Sequence, residues 1–339
     1  MQMWIAGCGG VLVLAGALNA RAGELTLEAR PTRAAPKLDG RIDDAAWKQA
    51  TPILVPVLQV PTEKRPGTTI VVLRAVRTAE HIFLAASWND PTNSFRKEEW
   101  TFDGKNWSQD PDTDEDRLAL IFPIADSVPW FATSGCTLSC HHLPSTSPTV
   151  EPRWYMATRG PTERFDAWHW KSTRTNPLGY TDDKYWNNDL PAKDRKNAGR
   201  HYDPRLPGPG GASRNAAKDG KGPAFMQDPN KKPSYPGALM RSEAVPFDAS
   251  RFKAGDTVPG RVLSKPAGNL ADIDAAGVWH DNTWHVEMRR ALNTGHDEDV
   301  VFKPGDRIPF SVAVFDNISE RRKQDHGKCI DLLWLVFPE

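Results

Sequence analysis

A chain of 339 residues has room for one large domain or two. Its formal net charge of +0 gives no electrostatic case for nucleic acid or an anionic membrane as a partner. Hydrophobic content of 39% with 13 Trp and 29 Pro argues against a helical bundle and for a packed, loop-rich β protein, in which the tryptophans either wall in something large and flat or fill the core.

Residues 1–22 read as a secretory signal. Trp4 to Leu18 is apolar or small, and Ala20-Arg21-Ala22 offers small residues at the positions a signal peptidase checks. Met1-Gln2-Met3 lacks the usual positive charge, and Ile5-Ala6-Gly7-Cys8 resembles a lipobox. The apolar run lies mostly after Cys8, however, so cleavage after Ala22 is the expectation. No later run approaches the roughly 20 apolar residues that span a bilayer, so a periplasmic protein with no membrane span is expected. Of the 4 Cys, Cys8 leaves with the signal, while Cys136, Cys140 and Cys329 stay. An odd count in an oxidising compartment asks for a reason, and a metal would supply one.

From Leu25 onward short apolar runs alternate with turn signals, and residues 23–339 read as a single, mainly β domain. Leu38 to Asp43 is a tight polar turn, followed by one helical turn at Asp44–Lys48 with Trp47 packed inward. Thr69–Val76 and His81–Trp88 are rich in β-branched and aromatic residues and predict an antiparallel hairpin. Arg117–Phe122 is a further strand, and the acidic run Asp112–Asp116 before it reads as a solvated turn rather than a calcium site. Gly277–Leu292, with Trp279, Trp284, Val286 and Met288 at even spacing over its core, predicts a second hairpin turning at Asp281-Asn282. Pro309–Phe315 and Ile330–Phe337 close the chain. Strands at both ends with no long amphipathic helix between them predict a β-sandwich carrying a large loop-rich insertion, about residues 123–246. Within it, Ser127–Trp186 is aromatic. Asp203–Gly237, rich in Pro, Gly, Lys and Asn, reads as an extended or mobile surface loop.

The insertion holds the most informative stretch, Cys136-Thr137-Leu138-Ser139-Cys140-His141. Two thiols followed at once by a histidine is the order that attaches one haem c: each thiol adds to a vinyl group and the adjacent imidazole becomes an iron ligand. The usual spacing has two residues between the thiols, and here there are three. Two other uses of the same residues are a disulfide between Cys136 and Cys140, or zinc bound with His141 and His142. No nucleophile and base pair or carboxylate pair stands out, so the chain is not expected to be an enzyme itself.

Leu38-Asp39-Gly40 through Trp47, Asp116-Arg117-Leu118-Ala119, Trp168-His169-Trp170-Lys171 and Phe310–Asn317 together resemble the haem-binding domain related to the ethylbenzene dehydrogenase gamma subunit. The resemblance covers most of the mature chain in the same order. It implies a β-sandwich distantly similar to some carbohydrate-binding modules, holding one haem and passing electrons in the periplasm. Its gamma subunits bind a non-covalent haem b between Met and Lys, and work beside a molybdenum subunit and an iron–sulfur subunit. This chain departs from them in its covalent motif and in Lys328-Cys329 at the ligand position near the carboxyl end. Those departures are similar to the family's c-type branch, the small two-subunit cytochromes of anaerobic ammonium oxidisers, with His and Cys on iron.

For the sixth iron position four groups compete. Met288 on an alternating strand reads better as core packing. Trp168, His169 and Trp170 read as haem contacts, with His169 also a possible ligand. Lys328 must be neutral to bind iron, which needs burial. Cys329 ionises more easily, so His141 and Cys329 are the expected metal ligands, with a low potential and binding of small gases as consequences. The function expected is a monohaem c-type cytochrome paired with a related haem subunit. The alternatives are the electron-transfer gamma subunit of a molybdenum oxidoreductase, or a haem-free carbohydrate-binding module.

Overall fold

The structure, a computed structural model, describes residues 23–59, 67–135, 157–189, 199–207, 210–318, 326–329 and 331–339. Residues 1–22, read above as a signal, and Cys136, Cys140, His141 and His142 lie outside the described residues. No helix among the described residues is long and apolar enough to cross a membrane.

β1 (Glu24–Pro31), α1 (Ala45–Gln49) and β2 (Ile53–Leu58) lead into the expected hairpin of β3 (Thr68–Arg77) and β4 (His81–Asn89). β5 (Trp100–Phe102) and β6 (Trp107–Gln109) precede β7 (Arg117–Pro123). After α2 (Phe131–Ser134) come β8 (Phe165–Lys171), β9 (Tyr180–Thr181), β10 (Lys184–Trp186) and β11 (Arg200–Tyr202). The short strands β12 (Gly211–Arg214), β13 (Phe225–Gln227), β14 (Leu239–Met240), β15 (Ala244–Pro246), β16 (Thr257–Val258) and β17 (Arg261–Ser264) build small accessory sheets, which also take in β5 and β6. β18 (Ile273–His280) and β19 (Thr283–Ala291) form the second expected hairpin. Its two turn residues, Asp281 and Asn282, have φ of 50° and 57°, the left-handed geometry that a two-residue turn needs to match strand twist. β20 (Arg307–Phe315), β21 (Gly327–Cys329) and β22 (Leu332–Val336) complete the chain.

The main sheet runs β11-β10-β8-β7-β20-β21-β2-β3-β4-β19-β18-β9, with β1 and β22 branching from it. It folds over itself into a sandwich-like body. The bridge between His169 and Asp182 brings the far end, just after β9, back onto β8. Inside, Trp170 of β8 meets Trp284 of β19 with ring centroids 5.0 Å apart, and Trp88 of β4 lies 6.2 Å from Trp170. Fully burying such side chains contributes on the order of 2–3 kcal/mol each. The tryptophans in this layer fill the core.

The small motifs near the amino end converge on one carboxylate. Glu287 accepts from Trp47 Nε1 at 2.7 Å and from the Gly40 amide at 2.8 Å. Gly40 has φ 76°, and a Cβ there would lie 2.4 Å from Val278 Cγ2, so the turn demands glycine.

Two expectations are corrected. The acidic run is no solvated turn: Asp114, Glu115 and Asp116 are buried. Asp114 meets Lys97 at 2.8 Å, Glu115 binds Arg174, and Asp116 accepts from the Ser94 amide and from Trp284. These partners come from segments distant in sequence, which is why the run looked solvated. Asp203–Gly237 is not bare loop, since β12 pairs with β17, β13 with β15, and Asn215 is buried, bonded to Phe225 and Pro259. The insertion 123–246 also contributes to the main sheet, because β8 pairs with β7 along its whole length.

Candidate functional site

Side chains alternate across a strand, so the register assigns each residue of β8, β7, β20 and β21 to one of two faces. Trp168 and Trp170 belong to the inner face with Leu118, Leu120, Val312 and Val314. His169 and Lys171 belong to the outer one. Paired in register, His169, Ala119, Ala313 and Lys328 form a single row across four strands. At ~4.8 Å per strand its ends are about 14 Å apart. In the neighbouring row Lys171, Arg117 and Phe315 follow one another.

His169 is buried, 8% exposed. Its Nδ1 lies 3.0 Å from Lys184 Nζ, while Nε2 has no hydrogen-bond partner among the described residues. The Phe315 ring lies 5.4 Å from the imidazole, and the His326 ring stacks on Phe315 at 4.6 Å. Burial, then the charges of Lys184 and Lys171, hold His169 well below the usual histidine range. Lys171 is bonded to Asp182, and burial followed by Lys184 pulls its ammonium well below the lysine range. Burial and then Arg200 do the same to Lys184. Which partner donates in the Lys184–His169 contact depends on the imidazole tautomer; in the tautomer protonated on Nδ1, the lone pair is on Nε2. In that tautomer Nε2 is free to accept a proton or coordinate a cation while Nδ1 is held by a neighbour.

The other predicted residues separate. Cys329 is 3% exposed, belongs to the inner hydrophobic cluster and stands opposite Val57, with its Sγ donating to the Asp331 carbonyl at 3.2 Å. Lys328, one residue earlier, points to the outer face and is half-buried beside Leu58 and Ala313. Met288 is core packing between Leu84 and Ala275, as its strand position implied. The structure therefore brings His169 and Lys328 onto one face, and places Trp168, Trp170 and Cys329 on the other.

Sequence reasoning missed Lys184, Phe315 and His326. The alternation in Asp166–Lys171 was the available signal that His169 and its flanking tryptophans face opposite ways. Close by, a cavity of about 320 Å3 is lined by Arg174, Tyr180, Asp182, Tyr202, Asp203 and Arg205 among others. The Tyr202 ring lies 4.6 Å from Lys184 Nζ, which links this cavity to the imidazole.

None of the curated proteins matches the chain. Similar solved structures include a carbohydrate-binding module of family 9 from Caldicellulosiruptor kristjanssonii in complex with cellotriose. The identity is 9% and the TM-score 0.34, covering 93% of this chain and 95% of that one. A module of the same family and organism in complex with glucose aligns at 8% identity and a TM-score of 0.35, covering 93% and 97%. The sequence profile of the family described as Ethylbenzene dehydrogenase matches residues 44–327, from just before α1 to the first residue of β21, and the chain belongs to that family.

Proposed function

We propose that the chain is an exported electron-transfer subunit serving a molybdenum oxidoreductase, as its family's gamma subunits do, and that it grips one haem. Attachment is through Cys136 and Cys140, with His141 as one iron ligand, and the outer face supplies the other. The observation that supports this most is His169, a buried imidazole whose Nε2 lacks a partner among the described residues. Two features suit a haem: a buried imidazole held well below the usual histidine range, and two alanines keeping the row beside it low. When bound, haem iron supplies a one-electron couple.

The chain's own residues then have definite tasks. Lys184 fixes the ring orientation of His169 through Nδ1. Phe315, sandwiched by His169 and His326, shields that edge from water. Cys329, buried in the core, is replaced by His169 as the proposed sixth ligand, and Lys328 on the same outer row is the alternative. A sixth nitrogen in place of a thiolate removes the reason for a low potential and for gas binding that rested on Cys329.

The test is spectroscopic. In full-length protein from a host with working cytochrome maturation, His169→Ala should lose the low-spin ferric spectrum and Cys329→Ala should keep it. The reverse pattern would restore the thiolate. Purification from the native host separates the partner readings: a molybdenum subunit should accompany the chain, whereas a heterodimer with a related haem subunit alone would favour the free cytochrome. A colourless chain that binds oligosaccharide would favour the carbohydrate-binding alternative.

A further inference from the structure

A second buried group of charged side chains, which the proposed haem site does not use, starts at the second residue of β8. Asp166 on β8, Asp183 just before β10 and Asp299 before β20 bring carboxylate oxygens within 4.8 Å of one another. Asp203 and Asn269 adjoin them, since Asn269 Nδ2 donates to Asp203 at 2.9 Å and to Asp299 at 3.4 Å. The cation paired with the group among the described residues is Arg290, 2.5 Å from Asp166 and 3.8 Å from Asp183. Four aspartates face one guanidinium, and each is at most 3% exposed. The group is short of positive charge.

Hydrogen bonding gives an independent observation. Asp166 Oδ1, Asp183 Oδ2, Asp203 Oδ1 and Asn269 Oδ1 are all buried and accept from no described donor. A buried acceptor left bare costs ~1–3 kcal/mol, so several in one group call for a donor or a cation.

The donors are all oxygen, which selects a hard cation, and their number selects calcium. Calcium takes roughly 6–8 oxygens at about 2.3–2.6 Å, whereas magnesium demands a tighter octahedron and keeps several waters. The carboxylate oxygens of Asp166, Asp183 and Asp299, all within 4.8 Å of one another, are close enough to share one ion. Asp203 also lines the cavity of about 320 Å3 beside Tyr202, which offers a way in.

We infer that Asp166, Asp183, Asp203, Asp299 and Asn269 form a calcium site. It ties β8, β10, β11 and the segment before β20 together behind the outer face. The experiment uses the full chain, stripped with EGTA, dialysed against trace calcium, assayed for bound metal and melted across a calcium titration. The expected result is one calcium per chain and a melting temperature raised by at least ~5 °C. Asp183→Asn should raise the melting temperature of the metal-free protein and weaken calcium binding roughly tenfold or more. Should that variant fail to fold, the wild-type titration decides alone. No stoichiometric calcium and no shift, an equal shift from magnesium alone, or unchanged calcium binding by Asp183→Asn would each overturn the site.

Discussion

At the scale of single residues, the account turns on which way neighbouring side chains point. Lys328 and Cys329 are adjacent in sequence but lie on opposite faces of β21, so only one of them can belong to a site on the outer face. Cys329→Ala is expected to cost about 1 kcal/mol in urea unfolding through lost core packing and to leave any haem spectrum intact. Asp90 offers a prediction about pH. Burial, then the charge of Asp316, pushes its carboxyl up to about 7. The folded value exceeds the unfolded value of about 3.9, so folding favours the proton. This contribution is complete below about pH 4 and is lost as pH rises through about 7. Asp90→Asn mimics the protonated form. It should match wild type near pH 4 and exceed it by at most ~4 kcal/mol above pH 7, three pKa units at 1.36 kcal/mol each. A gap that stays constant between pH 4 and pH 8 would contradict this origin.

At the scale of elements, both hairpins were legible because their period-two runs and the Asp281-Asn282 turn are local signals. The close approach of β18 to β8 was not. Gly277 lies against Trp170, and a Cβ at 277 would sit 2.4 Å from Trp170 Cζ2. The Gly277 amide donates to Asn176 at 2.7 Å, which also leaves no slack. Gly277→Ala should therefore cost about 2 kcal/mol by overpacking, read as a lower urea midpoint at unchanged slope. An unchanged midpoint would mean that the two layers separate there more freely than the contact implies. The acidic run before β7 was misread for a related reason. Its partners Lys97, Arg174, Ser94 and Trp284 sit on other segments, and nothing in Asp112–Asp116 itself announces them.

At the scale of the whole molecule, the β-sandwich class was readable from strands at both ends of the chain, but the order of strands was not. β1 pairs with β22 in parallel, joining the two ends of the described chain, a contact no local pattern encodes. The row from His169 to Lys328 likewise exists only through three successive registers. The sequence named both residues, and only the sheet puts them on one surface. Family membership and that surface together are what support the proposal of a haem-holding electron-transfer subunit.

The most direct measurement of that claim is a pyridine haemochrome assay after acid–acetone extraction, on full-length chain made in a host with working cytochrome maturation. The account predicts one haem per chain, still attached after extraction and with thioether character. A protein that carries no haem under these conditions would contradict it.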